Sequence, residues 1–158
     1  MGTDKAFVVV DGRPMVVVVA EALSEAGCHP VECQGGDLER LAELGLTGVA
    51  DAVAGAGPVA AIGEALDRFG GPIVIAACDL GRLDAPPVRA VIEAGAELGA
   101  VAVAASDGRR HLLSYWTPAA RDRLPPAGSY REALEAVGAV EVPVEGTALQ
   151  NFNTPEQL

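Results

Sequence analysis

Residues 73–77 have the sequence Ile-Val-Ile-Ala-Ala, a continuous apolar run that limits the possible folds more than any other segment. A short β-branched run that follows two glycines and a proline predicts a strand. Because no polar residue alternates with the apolar ones, we expect both faces of this strand to be covered, as in a parallel sheet. Further strands are predicted at residues 7–10, 30–33, 100–105, 111–116 and 140–144.

Helices are predicted between these strands, where apolar residues recur at three- and four-residue spacing. The predicted helices cover residues 15–26, 38–44, 59–69, 88–98, 118–123 and 129–137. Pro14 suits a helix start, and Asp37 can cap the following helix. Alternating strands and helices predict an α/β fold with a mostly parallel sheet, in a single domain that covers residues 1–158.

The chain is acidic, with 22 Asp and Glu residues against 11 Lys and Arg residues. An acidic chain without a basic stripe is a poor candidate for binding nucleic acid or an anionic membrane. We find no signal peptide and no apolar run long enough to cross a bilayer. Cys28, Cys33 and Cys78 match no zinc-site spacing, so we expect reduced, mostly buried thiols in a cytoplasmic protein.

Two charged residues are candidates for phosphate and metal binding. Asp79 follows the strand at 73–77, and ligands of open α/β sheets bind at the carboxyl ends of strands. A carboxylate there can hold Mg²⁺ against nucleotide phosphates, or it can cap the turn after the strand. Lys5 is the only lysine of the chain. Its mobile ammonium suits phosphate oxygens, and the alternative is a surface lysine near a frayed terminus.

Three further polar residues are candidates for ligand binding. Asp51 precedes a glycine-rich loop and can accept hydrogen bonds from a base or a ribose, or bond its own backbone. Asn151 and Asn153 flank Phe152, and residues two apart in an extended segment face the same side, so both amides can meet one ligand. Alternatively, they order a turn before a terminal helix. His111 is a general-base candidate by residue type alone, without a visible nucleophile partner.

Five segments, taken in order, resemble the molybdenum cofactor guanylyltransferases, a family of nucleotidyltransferases with a Rossmann-like, three-layer fold. The segments are MGTDKA at 1–6, DGRPM at 11–15, GPVAAI at 57–62, IAACDL at 75–80 and NFNTPE at 151–156. The first resembles the end of the family's signature loop, and IAACDL resembles the strand that ends in its metal-binding aspartate. The resemblance runs along nearly the whole chain.

The resemblance implies a reaction and a role for each matching residue. A molybdopterin phosphate would attack the α-phosphate of GTP, giving the guanine dinucleotide cofactor and pyrophosphate. Lys5 would contact the GTP phosphates, and Asp79 would hold Mg²⁺. The other matches are assigned to the two substrates, Asp51 and Gly57 to the guanine nucleotide and Asn151 and Asn153 to molybdopterin. Molybdoenzymes or cofactor-delivery proteins would be the partners.

The chain also departs from the family pattern, which begins with a strand and a loop of the type Leu-Ala-Gly-Gly-x-Ser-x-Arg-Met-Gly. The amides of that loop cradle the nucleotide, and this chain opens at the Met-Gly. We therefore expect a start placed at an internal methionine, or a shortened form, with the core and the site both incomplete. Three alternatives stay open: a cytidylyltransferase, a sugar-phosphate or isoprenoid nucleotidyltransferase, and an inactive homologue that only binds.

Overall fold

Helices and strands alternate in the computed structural model, which describes residues 5–53 and 55–150. The strands are β1 Val9–Val10, β2 Arg13–Pro14, β3 Glu32–Gln34, β4 Thr47–Val49, β5 Ile73–Ala76, β6 Ala102–Ser106, β7 Arg109–Trp116 and β8 Val140–Pro143. The helices are α1 Met15–Glu25, α2 Leu38–Glu43, α3 Gly57–Phe69, α4 Ala85–Leu98 and α5 Tyr130–Val137, with 3₁₀ helices at Lys5–Phe7 and Pro118–Arg123. The predicted α/β class is confirmed.

The chain divides into two compact units. The first comprises Met1–Ala50, Ala76–Arg89 and Glu145–Leu158, and the second comprises Asp51–Ile75 and Ala90–Val144. In the first unit, β1 and β2 form a small antiparallel hairpin and β3 pairs with β4 in parallel. The second unit carries a four-stranded sheet in the order β5-β7-β6-β8.

Helix α1 contains the four consecutive valines at 16–19, although valine favours strands by propensity. Burial explains the outcome, because Met15 and Val16 are only 0 % and 2 % exposed and pack in the apolar interior of the first unit. Tertiary packing therefore outweighs local preference here. The predicted cap at Asp37 is also confirmed, since its carboxylate accepts a hydrogen bond of 3.1 Å from the Arg40 amide at the start of α2.

The four-stranded sheet is mixed, because β6 pairs with β8 in parallel and with β7 in an antiparallel hairpin. The sequence pattern predicts a strand at residues 111–116 but not its antiparallel direction. Trp116, at the end of β7, is fully buried at the centre of the second unit's core. Residues of α3 and α5 belong to the same core, with Ile62, Leu66 and Leu134 as large buried aliphatic side chains.

Strand β5 differs from the expectation of full cover on both faces. Its four residues, from Ile73 to Ala76, are each only half-buried, because β5 is an outer strand of the sheet in the described part of the chain. That expectation is therefore wrong. Two smaller differences concern local structure: the segment Pro118–Arg123 is a 3₁₀ helix, and the strand Thr47–Val49 is missed by the sequence pattern.

Ser114 forms the centre of a buried hydrogen-bond network in the second unit. Its hydroxyl oxygen accepts hydrogen bonds from the Trp116 Nε1–H at 2.7 Å and from the Tyr130 hydroxyl at 2.8 Å. Ser114 itself is fully buried. Burial also raises the pKa of Tyr130 to about 12, so its phenol stays protonated and keeps donating throughout the physiological range. The network fixes β7 against the start of α5.

The substitution Ser114→Ala is expected to lower the free energy of unfolding by roughly 2–4 kcal/mol, because two donors in or near the core lose their acceptor. Urea denaturation measures this loss. A matched control is Ser129→Ala, which removes the exposed N-cap of α5 and should cost about 1 kcal/mol. A loss for Ser114→Ala no larger than that of the control would contradict the importance of the network.

Candidate active site

A cavity of about 340 Å³ lies within the first unit, where the loop after β3 and the segment after β5 contribute to its wall. Its volume is at the lower end of the roughly 300–1,000 Å³ typical of ligand pockets. The lining residues are Lys5, Ala6, Phe7, Val16, Cys33, Gln34, Gly35, Gly36, Leu41, Ala77, Cys78 and Asp79. Both of the charged candidates from the sequence, Lys5 and Asp79, are therefore part of one cavity.

The apolar part of the cavity wall belongs to a small core. Phe7, Val16 and Leu41 are buried against one another, and Cys33 packs against them. The Arg40 guanidinium lies over the Phe7 ring at 4.0 Å from its centroid, a cation–π contact that helps hold the ring in place. Burial raises the pKa of the Cys33 thiol, so this side chain behaves as a neutral, weakly polar part of the wall.

Asp79 is half-buried, and one of its carboxylate oxygens has no hydrogen-bond partner among the described residues. Its Oδ1 atom is buried and accepts no hydrogen bond from residues 5–53 or 55–150. A buried acceptor without a donor costs free energy and is uncommon in folded proteins. A carboxylate oxygen in this situation is suited to a cation, which satisfies it more fully than a single hydrogen bond would.

Lys5 begins the 3₁₀ helix Lys5–Phe7, and the Val8 amide donates to its carbonyl at 3.1 Å. Lys5 is an exposed residue that lines the cavity, while Phe7, two residues later, lies in its apolar wall. The cavity thus combines one cation, one carboxylate and an apolar surface. Such a set can neutralise phosphate oxygens, hold a divalent ion and contact the faces of a ring.

The remaining predicted site residues lie elsewhere or outside the described residues. Asp51 is exposed in the loop after β4, and Gly57 is the first residue of α3, with a φ of +83° and open space where a side chain would lie. Neither residue lines the cavity. Asn151 and Asn153 lie outside the residues that the structure describes.

The sequence pattern missed part of the cavity wall, namely Cys33, Gln34, Gly35 and Gly36. One signal was available, because these residues come at the carboxyl end of a strand, where ligands of α/β sheets bind. Cys78 was expected among buried thiols, and the structure corrects this, since its side chain is exposed beside Asp79.

His111 has a serine partner that the sequence did not reveal. Its Nε2 atom lies 2.7 Å from the Ser106 hydroxyl oxygen, within the second unit. Burial and then the charge of Arg109 lower the pKa of His111, while Asp107 opposes them. A neutral imidazole can accept the Ser106 proton in a hydrogen bond, and the pair ties the two strands of the β6–β7 hairpin together.

Two negative observations apply to the described residues only. Among them, no three His, Cys, Asp or Glu side chains are grouped so that they form a metal site by themselves. Within residues 5–53 and 55–150, every helix is too short or too polar to span a bilayer.

Several solved structures have a similar fold. Molybdopterin-guanine dinucleotide biosynthesis protein A from Archaeoglobus fulgidus is 24 % identical, with a TM-score of 0.77 over 99 % of this chain and 87 % of that one. The 2-C-methyl-D-erythritol 4-phosphate cytidylyltransferase from Thermus thermophilus is 19 % identical, with a TM-score of 0.68 over 99 % and 90 %.

A third structure is CMP:2-keto-3-deoxy-manno-octonic acid synthetase complexed with CTP, 13 % identical with a TM-score of 0.72 over 98 % of this chain and 90 % of that one. These likenesses define the fold as the Rossmann-like α/β fold of nucleotidyltransferases. No curated protein sequence matches the chain. Residues 1–141 match the MobA-like NTP transferase domain, and the chain belongs to this family.

Proposed function

We propose that this protein transfers GMP from GTP to molybdopterin, which gives the guanine dinucleotide cofactor and pyrophosphate. An oxygen of the molybdopterin phosphate forms a bond to the α-phosphorus of GTP, and the bond from that phosphorus to the bridging oxygen of pyrophosphate breaks. The carrying observation is the cavity that brings Lys5 together with Asp79, whose buried Oδ1 has no partner among the described residues. Membership in the NTP transferase family supports the reaction class.

The donor set fits Mg²⁺. In nucleotide sites this ion is commonly held by one or two carboxylates together with phosphate oxygens and water, and Asp79 supplies one carboxylate with an unsatisfied oxygen. Mg²⁺ bound there would neutralise charge on the triphosphate during transfer. The protein's own contribution is the Asp79 carboxylate in the segment after β5, where it would bind the ion that the nucleotide phosphates also bind.

Lys5 provides the second source of positive charge. Its ammonium would donate to phosphate oxygens, and a charged hydrogen bond of this kind contributes roughly 1.5–3 kcal/mol. Phosphoryl and nucleotidyl transfer depend mainly on positioning and on charge neutralisation. A carboxylate-bound ion and one ammonium would therefore neutralise much of the negative charge on the triphosphate during the reaction.

The other assignments follow from the family resemblance and are part of the same proposal. Asp51 and Gly57 bind the guanine nucleotide, and Asn151 and Asn153 lie near molybdopterin. A similar protein is named for molybdopterin-guanine dinucleotide biosynthesis, which supports this choice of substrates. Molybdoenzymes or cofactor-delivery proteins would receive the product.

A cytidylyltransferase is the second candidate, because two similar structures are a cytidylyltransferase and a synthetase bound to CTP. It would use the same lysine and carboxylate with a different base. The discriminating feature is therefore the part of the site that contacts the nucleobase.

Thermal unfolding with Mg²⁺ and GTP, CTP or ATP tests the proposal directly. A ligand that binds the folded chain at about one hundred times its dissociation constant adds ~2.7 kcal/mol of stability. We expect GTP to raise the unfolding temperature more than CTP or ATP, and Mg²⁺ to be required. Selective stabilisation by CTP would favour the cytidylyltransferase, and no shift with any nucleotide would contradict nucleotide binding by this chain. Pyrophosphate release with GTP and molybdopterin would exclude a homologue that only binds.

A further inference from the structure

The cavity contains one residue whose chemistry neither phosphate binding nor metal binding explains. Among the described residues that line it, Lys5 and Asp79 carry charges. The apolar side chains form no hydrogen bonds, and the cysteine thiols form only weak ones. Gln34 has the one lining side chain that is neutral and can both donate and accept strong hydrogen bonds. A carboxamide suits a ligand edge that presents a donor beside an acceptor, and nucleobases have such edges.

The backbone around Gln34 is well fixed. Gln34 is the last residue of β3 and pairs with Val49 of β4. The Gly35 amide donates to the Val49 carbonyl at 2.8 Å, which extends the pairing by one residue. Gly35 and Gly36 then have φ values of +74° and +77°, a left-handed conformation that favours glycine. The chain therefore turns sharply after Gln34, at the wall of the cavity.

The neighbouring wall offers an apolar surface for a flat ring. Phe7, Val16 and Leu41 form it, and Cys33 precedes Gln34 on the same strand. Base faces bind well to aromatic and aliphatic side chains, while their edges need hydrogen-bond partners. The apolar surface can therefore contact the face of a base, and the neighbouring carboxamide can bind its edge.

We propose that Gln34 contacts the edge of the nucleobase and that this contact sets the base preference of the enzyme. The inference rests on the proposed nucleotidyl transfer and adds a specificity-determining residue to it. Lys5 binds the phosphates, Asp79 binds the ion, and Gln34 binds the base. The carboxamide is close in shape to leucine and to glutamate, so two substitutions can test the contact with little change in volume.

The first test compares Gln34→Leu with the unchanged protein by calorimetric titration with three Mg²⁺-bound ligands: GTP, CTP and inorganic tripolyphosphate. Tripolyphosphate has no base and serves as the control ligand. We expect the affinity for GTP to fall roughly tenfold in Gln34→Leu, as for the loss of a neutral hydrogen-bond pair, while the affinity for tripolyphosphate stays unchanged.

The second test uses Gln34→Glu, in which both side-chain atoms only accept. Guanine presents two adjacent donors, N1–H and the 2-amino group, whereas cytosine presents an acceptor beside its amino donor. The added negative charge in the cavity of Asp79 should weaken every ligand, tripolyphosphate included, so each nucleotide affinity is compared with that of tripolyphosphate. On this scale we expect Gln34→Glu to weaken CTP binding at least tenfold more than GTP binding. Equal changes for both nucleotides would overturn the assignment of base preference to Gln34.

Thiol labelling gives a readout that does not depend on activity. Because Cys33 adjoins Gln34, GTP should slow the alkylation of Cys33 in the unchanged protein, and tripolyphosphate should not. If Gln34→Leu binds GTP normally while Asp79→Asn does not, the inference about Gln34 fails and the proposed function stands. If GTP and tripolyphosphate binding fall together in Gln34→Leu, the residue is structural and the inference also fails. If the unchanged protein binds no nucleotide, both proposals fail.

Discussion

Asp79→Asn is expected to lower kcat/KM for GTP on the order of 10³-fold, because the carboxylate that would hold Mg²⁺ becomes a neutral amide. The substitution keeps the size and shape of the side chain. It removes the charge that neutralises the ion and weakens one oxygen ligand, and each tenfold loss in rate corresponds to about 1.4 kcal/mol of transition-state stabilisation. The measurement is pyrophosphate release at increasing Mg²⁺, with GTP and molybdopterin as substrates.

Stability separates this effect from unfolding. The Oδ1 atom of Asp79 is buried and has no donor in the described part of the chain, so the carboxylate is a source of strain without an ion. Asp79→Asn should therefore leave the unfolding temperature of the ligand-free protein unchanged or raise it. A loss of activity together with a marked loss of stability would contradict a role in metal binding.

A matched control lies five residues further along the chain. Asp84 is exposed and does not line the cavity, so Asp84→Asn changes the net charge by the same amount without touching the site. We expect its activity and its Mg²⁺ dependence to equal those of the unchanged protein. Equal losses in the two variants would point to a general effect of net charge, and the specific role of Asp79 would be wrong.

The fold was largely predictable because most elements have a clear apolar period. Helices α3 and α5 follow from three- and four-residue spacing, and the predicted start of α5 is confirmed by a capping box between Ser129 and Glu132. Strand β4 was missed because Thr47-Gly48-Val49 is short and contains a glycine, which weakens a strand signal. The position of β5 at the edge of the sheet formed by the described residues depends on pairing over long sequence distances, which a local pattern does not contain.

The site was predictable only in part for a similar reason. Lys5 and Asp79 stood out because a unique lysine and a carboxylate after a strand have recognisable chemistry. Gln34 did not, since its position at a strand end was its only signal, and its chemistry stood out only once the fold brought it to the same cavity as Asp79. The apolar wall around Phe7 shows the same limit, because three segments that are separate in the sequence form it. Only the tertiary structure brings these residues together.

Lys5→Met is expected to lower turnover roughly 10- to 150-fold, which corresponds to the loss of one charged hydrogen bond worth about 1.5–3 kcal/mol. Methionine preserves much of the length and the apolar stem of lysine, so the 3₁₀ helix Lys5–Phe7 should remain intact. Lys5→Arg keeps the charge with a larger, planar group, and we expect it to recover part of the activity. Steady-state pyrophosphate release measures both variants.

The unique lysine permits a direct chemical test of the same contact. Lys5 carries the only ε-amino group of the chain, so its acetylation by an amine-specific reagent is identified unambiguously by mass spectrometry, with the α-amino group as internal reference. Because a bound triphosphate would cover the Lys5 ammonium, Mg²⁺ with GTP should slow acetylation of Lys5 relative to the reference. Unchanged acetylation at saturating GTP, in a protein that Asp79→Asn inactivates, would place the phosphate contact on another residue.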